Sequence, residues 1–175
     1  MADKAVSSEE KLKLEKGTQL LKVLKEAIKA ESDGYYFYQM AEEKSKDPSA
    51  KEVFRSMALD ELDHGSVLKG LYHALMKKSE FKFDRRRHPR GKFKTGSQKI
   101  IFSAKLKNKL KQNNFALSAL RIAQMMEKDA ISFYGRHAKQ SKHPELKSLF
   151  NFLVEWETDH LWALVRQESI LERSE

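Results

Sequence analysis

The sequence predicts an all-α fold: a four-helix bundle made of two copies of one helical hairpin, joined by a long crossover. Three observations lead there. Only 7 Gly and 3 Pro occur in 175 residues, too few turn-formers for a many-stranded sandwich or barrel. Residues recur at a fixed offset of 96 positions. Apolar residues repeat at intervals of three, four and seven, the period of one face of a helix.

The offset pairs Glu31 with Glu127, Phe37 with Phe133, Tyr38 with Tyr134, Pro48 with Pro144, Phe54 with Phe150, Glu61 with Glu157 and His64 with His160, without a gap. Leu21, Leu24 and Ala27 match Leu117, Leu120 and Ala123 further upstream. The first helix is expected over 18–45, with Thr18 as its N-cap. Asp47 and Pro48 then restart the chain as N-cap and first helical residue, giving a second helix over 48–77. The second copy yields helices over 114–140 and 144–172. Between the copies, HPRG and TGS break the connection, and a short helix is expected over 103–112. The chain therefore reads as a single domain over 1–175, with a hairpin over 18–77, a crossover over 78–113 and a hairpin over 114–172. Its length suits one domain, and a bundle with one long crossover needs such a connection.

Composition narrows the function. Hydrophobic residues make up 40% and charged residues 34%, the balance of a soluble folded chain. The formal charge is +9, yet residues 77–111 hold 14 Lys or Arg against Glu80 and Asp84, a local charge of +12 that leaves the remainder at −3. That stripe reads either as a solvated crossover or as a surface that attracts nucleic acid or another polyanion. Phe81, Phe83, Phe93 and Phe102 within it either pin the segment to a core or stack on bases. The absence of Cys excludes disulfides, thiolate catalysis, Cys-ligated zinc and iron–sulfur centres. No apolar run approaches the roughly 20 residues that span a bilayer. The N-terminal stretch lacks the apolar core of a secretory signal. A cytoplasmic protein is expected.

The anomaly lies on the apolar faces. Glu31 shares its stripe with Leu24, Ala27 and Tyr38, and Glu61 and His64 share theirs with Phe54, Met57, Leu68 and Leu71. Glu127, Glu157 and His160 repeat the pattern in the second copy. Glu31 lies 14 residues before the end of its expected helix and Glu61 lies 13 residues after Pro48. At about 1.5 Å per residue, both sit roughly 20 Å from the same turn and face each other. Each Glu-x-x-His places its two side chains on one helix face, about a turn apart. Four carboxylates and two imidazoles thus converge at mid-bundle.

Four ionised carboxylates in an apolar interior repel one another and lose hydration, which costs several kcal/mol for each unpaired ion. Two divalent cations carry +4, cancel the four carboxylates and leave two neutral imidazoles to complete the ligand set. Carboxylate plus imidazole suits iron, with manganese as the other candidate. With 17 Glu and 6 His, chance alone gives roughly half a Glu-x-x-His match, so one means little. Two at the repeat offset, each preceded by a Glu 30 residues earlier, carry the signal.

At these residues the segments AIKAESDGYYFYQMA, ALDELDHGSVL, MMEKDAISFYGRHA and EWETDHLWAL resemble the rubrerythrin branch of the ferritin-like superfamily. The resemblance covers both hairpins but not the basic connection. It implies a ferritin-like four-helix bundle with a dinuclear iron site, in which Glu61 and Glu157 bridge the metals, Glu31 and Glu127 are terminal carboxylates, and His64 and His160 are terminal nitrogen ligands. It also implies reduction of hydrogen peroxide and a homodimer. Two departures stand out. Full-length rubrerythrins add a Cys-ligated rubredoxin-like domain, which a chain without Cys cannot form, so an external electron-donor protein is expected. Rubrerythrins also carry a carboxylate three residues after the third-helix Glu. Here that position is Ala130, matching Gly34, and the site is more symmetric, closer to a bacterioferritin-like ferroxidase centre.

Peroxide or oxygen reduction leads, with ferroxidation and nucleic-acid binding around a structural metal as the rivals. Tyr38 and Tyr134, two turns past Glu31 and Glu127, are candidates to hydrogen-bond the ligand carboxylates. Asp60 is a candidate to orient a histidine, although its counterpart is Trp156. His137, about three turns past Glu127, reads either as an inward-pointing residue or, in preference, as a surface or helix-terminal one, and Trp156 and Trp162 read as packing residues.

Overall fold

The computed structural model describes residues 8–77, 84, 86 and 114–173, with side chains from residue 17 and from residue 115 in the two long stretches. Among the described residues there are four helices: α1 (Ser8–Lys44), α2 (Pro48–Met76), α3 (Asn114–Gln140) and α4 (Pro144–Glu172). The predicted all-α bundle is what the chain forms. The expected short helix over 103–112 and the four crossover phenylalanines lie outside the described residues. In the crossover, Asp84 accepts from the backbone and guanidinium of Arg86. No helix among the described residues is long and apolar enough to cross a membrane.

One boundary differs from expectation. Helix α1 begins at Ser8, so Thr18 is an interior residue rather than an N-cap. Residues 8–16 are mostly Glu, Lys and Leu, all strong helix formers, and the single Gly17 costs only about 1 kcal/mol. A lone Thr does not stop a helix whose upstream sequence favours it. The second helix starts as expected: Asp47 Oδ1 accepts from the Ala50 N–H at 2.8 Å and Pro48 opens the first turn. In the second copy His143 occupies the cap and makes no side-chain cap bond.

The hairpins α1–α2 and α3–α4 dock head to tail. One apolar cluster joins Tyr38, Phe54 and Met57, near the first turn, to Leu117, Leu120, Leu164 and Leu171, at the open end of the second hairpin. The other joins Tyr134, Leu149 and Phe150, near the second turn, to Leu24, Leu68 and Leu71. Gln167 Nε2 donates to Ser49 Oγ at 2.6 Å and ties the far part of α4 to the start of α2. Each cluster buries several large side chains worth about 1.5–3 kcal/mol apiece. The two clusters leave one layer between them at mid-bundle, and the predicted ligands occupy it.

Candidate metal centre

All six predicted residues reach that layer and all are buried: Glu31, Glu61, His64, Glu127, Glu157 and His160. Each helix delivers its residues through its own period. Glu31 and Glu127 come from α1 and α3, and the two Glu-x-x-His pairs come from α2 and α4. His64 Nδ1 lies 2.9 Å from Glu31 Oε2, 3.1 Å from Glu157 Oε1 and 3.5 Å from Glu61 Oε2. His160 Nδ1 lies 3.1 Å from Glu157 Oε2, 3.5 Å from Glu127 Oε1 and 3.7 Å from Glu61 Oε1. Each imidazole therefore faces one carboxylate of its own and two shared ones. The imidazole rings stand 5.5 Å apart and nearly parallel.

Whether these residues fit a metal pair is a question of direction. A single ring nitrogen offers one proton or one lone pair, so it cannot satisfy three carboxylates by hydrogen bonding. Both Glu157 oxygens lie 3.1 Å from an imidazole nitrogen, yet neither has a hydrogen-bond partner of good geometry. Side chains that are close but misaligned are what ligands aimed at a common third atom look like. Two sets of four residues have donor atoms within 4.8 Å of one another: Glu31, Glu61, His64 and Glu157, and Glu61, Glu127, Glu157 and His160. The sets share Glu61 and Glu157. Each set could hold a cation, and both would draw on these two carboxylates.

The electrostatics agree. Burial pushes Glu61 well above the usual carboxylate range, and Glu31 and Glu157 push it further. Glu127 is raised to about 7, burial again being the largest cause and His160 opposing it. Burial also acts to raise Glu157, but His64 and His160 outweigh it and hold that carboxylate below its ordinary range. Burial would lower both histidines, yet Glu157 and Glu31 raise His64, and Glu127, Asp60 and Glu157 raise His160.

Around the ligands the structure adds what spacing could not. Tyr38 donates to Glu127 Oε1 and Tyr134 donates to Glu31 Oε1, so each tyrosine serves the carboxylate of the other hairpin. Burial and the surrounding carboxylates raise both phenols well above their usual range, which keeps them protonated as donors. Asp60 Oδ2 lies 3.3 Å from Nε2 of His160, again across the hairpins. Trp156 stands against His64, ring centroids 4.1 Å apart. Trp156 packs as expected, but Trp162 is 68% exposed. It lies five residues past Glu157, about 140° around the helix from the buried face. His137 lies in the last turn of α3 with its ring against Phe133 and Phe150.

Gly34, met in the sequence only as the counterpart of Ala130, lies directly against the Glu61 carboxylate. A Cβ there would sit 3.2 Å from Cδ of Glu61, a tight contact that the Glu61 side chain would have to relieve by a few tenths of an ångström. The available signal was a mid-helix glycine three residues past Glu31, on its face. Gly34 also lines a cavity of about 1190 Å³ that leads from the surface between α1 and α3 to Glu31, Glu61, Glu127 and Glu157.

No curated protein and no solved structure matches the chain significantly. The family model described as Rubrerythrin matches residues 22–166, which span both hairpins and all six converging side chains. Helix order, buried carboxylate layer and matched span agree: this chain belongs to the rubrerythrin family, a ferritin-like family of di-iron proteins.

Proposed function

We propose that the protein is a di-iron oxidoreductase that reduces hydrogen peroxide, or dioxygen in its place, with electrons from a separate donor protein. The carrying observation is the pair of donor sets sharing Glu61 and Glu157, reached by a cavity. Two iron ions held there would supply the two electrons of the reduction. Peroxide takes two electrons and two protons from solvent, its O–O bond breaks and two waters form; the donor protein then returns two electrons. A chain without Cys holds no Cys-ligated iron to do so itself.

The protein's own part is holding and orienting. Glu31 and Glu61 with His64, and Glu127 and Glu157 with His160, would ligate the metals. Tyr38 and Tyr134 would orient the terminal carboxylates by donating to them. The apolar clusters on either side exclude water except through the cavity. Among the cavity's exposed residues, Glu26, Asp33 and Asp129 are offset by Arg136 and Lys139. A mouth of mixed sign suits a small neutral oxidant.

The test is anaerobic. Protein loaded with two ferrous ions per chain is mixed with one equivalent of peroxide, and remaining ferrous iron and peroxide are assayed. Loss of two ferrous ions per peroxide is expected, and none in Glu61→Ala. Ferrous iron that survives the peroxide sinks the proposal. Ferroxidation is the second reading, favoured by the symmetric pairing of Gly34 with Ala130; it requires oxidation of many more than two irons per chain.

A further inference from the structure

The two histidines are alike in what they face and unlike in what stands behind them. Nδ1 of each is turned toward its own carboxylate and the two shared ones. For Nδ1 to bind a cation, the ring proton must sit on Nε2. Behind His160, Asp60 Oδ2 lies 3.3 Å from Nε2 and can accept that proton. Behind His64, Nε2 is buried and has no hydrogen-bond partner among the described residues. There the neighbour is Trp156, its ring 4.1 Å away at 75°. Trp156 is itself buried and wedged against Phe152, and its indole N–H can only donate, so it offers no acceptor. Asp60 and Trp156 are the same position of the repeat, 96 residues apart. The duplicated site is therefore asymmetric at one pair of positions that touch the imidazoles.

We infer that the two metal positions are unequal, the one beside His160 binding a divalent cation more tightly than the one beside His64, because Asp60 backs one imidazole and Trp156 backs the other. The inference rests on the dinuclear reading above. A carboxylate accepting from Nε2 fixes the tautomer, locks the ring's rotation and makes Nδ1 more electron-rich, and losing such a partner costs about 10- to 100-fold in metal affinity. Asp60 also places a negative charge beside one cation and not the other. Packing by an indole holds a ring in place but provides neither effect. Asp60 is thus a positioning residue, acting through His160.

The test is a titration of metal-free protein with Co²⁺, followed by calorimetry and by cobalt absorption. Wild type should take up two ions per chain in two steps, the first about 10- to 100-fold tighter. Asp60→Leu should weaken the first step by that factor and leave the second within threefold; Asp60→Asn, which keeps a neutral acceptor, should fall between. His160→Ala should abolish the tight step and His64→Ala the weak one. A purely structural role for Asp60 would lower both steps together. Two equal steps in wild type, or a step ratio untouched by Asp60→Leu, overturns the inference and leaves the dinuclear reading standing. Uptake of fewer than two ions by wild type overturns both.

Discussion

In the first hairpin Asp60 precedes Glu61, Gly34 lies three residues past Glu31, and Asp47 caps the second helix through its carboxylate. In the second hairpin Trp156, Ala130 and an uncapping His143 hold the same positions. Facing outward, Glu26, Lys29, Ser66 and Lys69 correspond to the exposed Ile122, Met125, Trp162 and Val165. Yet the carboxylates, imidazoles, tyrosines and stacked phenylalanines coincide: Tyr38 lies over Phe54 and Tyr134 over Phe150 at nearly the same distance and angle. The difference teaches where the constraint lies. Positions that converge on one point at mid-bundle share a single geometric solution in both copies. Positions one layer out tolerate chemistry as different as a carboxylate and an indole.

The comparison can be broken most forcefully at the shared carboxylates. Glu61→Ala and Glu157→Ala should each abolish binding of both metals, whereas Glu31→Ala and Glu127→Ala should each spare one; metal analysis after dialysis reads the difference. Without metal, Glu157→Ala should also cost about 3–5 kcal/mol in urea unfolding, because two raised histidines lose their common counter-charge. Similar stoichiometry across all four variants would contradict the assignment of shared and terminal roles.

The tyrosines test the symmetry itself. Tyr38→Phe and Tyr134→Phe each leave a buried carboxylate short of one donor, at about 1–3 kcal/mol. The two should match each other, by calorimetry, within the spread of replicate samples.

Acidity offers a gentler lever. Burial pushes Glu127 up to about 7 from an ordinary 4.5 and Glu61 well above it, and both histidines are raised above 6.5. A raised folded value means that stability is present at low pH and lost as pH climbs through it. Glu157 runs the other way and loses its contribution below its ordinary value. The metal-free protein should therefore weaken by about 1 kcal/mol per pH unit between about pH 5 and 8. Metal uptake should release protons and strengthen over the same range; a urea midpoint that rises with pH in metal-free protein would contradict this.

Gly34→Ala and Ala130→Gly sharpen the comparison further. The first gains up to about 1 kcal/mol of helix propensity but presses on Glu61, so metal affinity should drop while metal-free stability holds. The second should lose about 1 kcal/mol of stability and leave metal affinity alone. At the caps, Asp47→Ala should cost about 1 kcal/mol, and His143→Asp should gain a comparable amount. Thermal melts of the metal-free chain measure both.

Much of the fold was legible because helical period is a local property. The face and height of Glu31, Glu61 and His64 follow from 3.6 residues per turn and the distance to Pro48, and the repeat carries them to Glu127, Glu157 and His160. The burial of opposed charges on four apolar faces could likewise be read before any contact was known. What the sequence could not supply is which hairpin answers which. Tyr38 meets Glu127 rather than its own Glu31, and Asp60 backs His160 rather than its neighbour His64, because the hairpins dock head to tail. The start of α1 at Ser8 and the exposure of Trp162 were likewise decided by context. Period and spacing place a side chain within its own helix pair; only the packing of one pair against the other determines its partner, since that register is set by the sum of two apolar clusters and by no single motif.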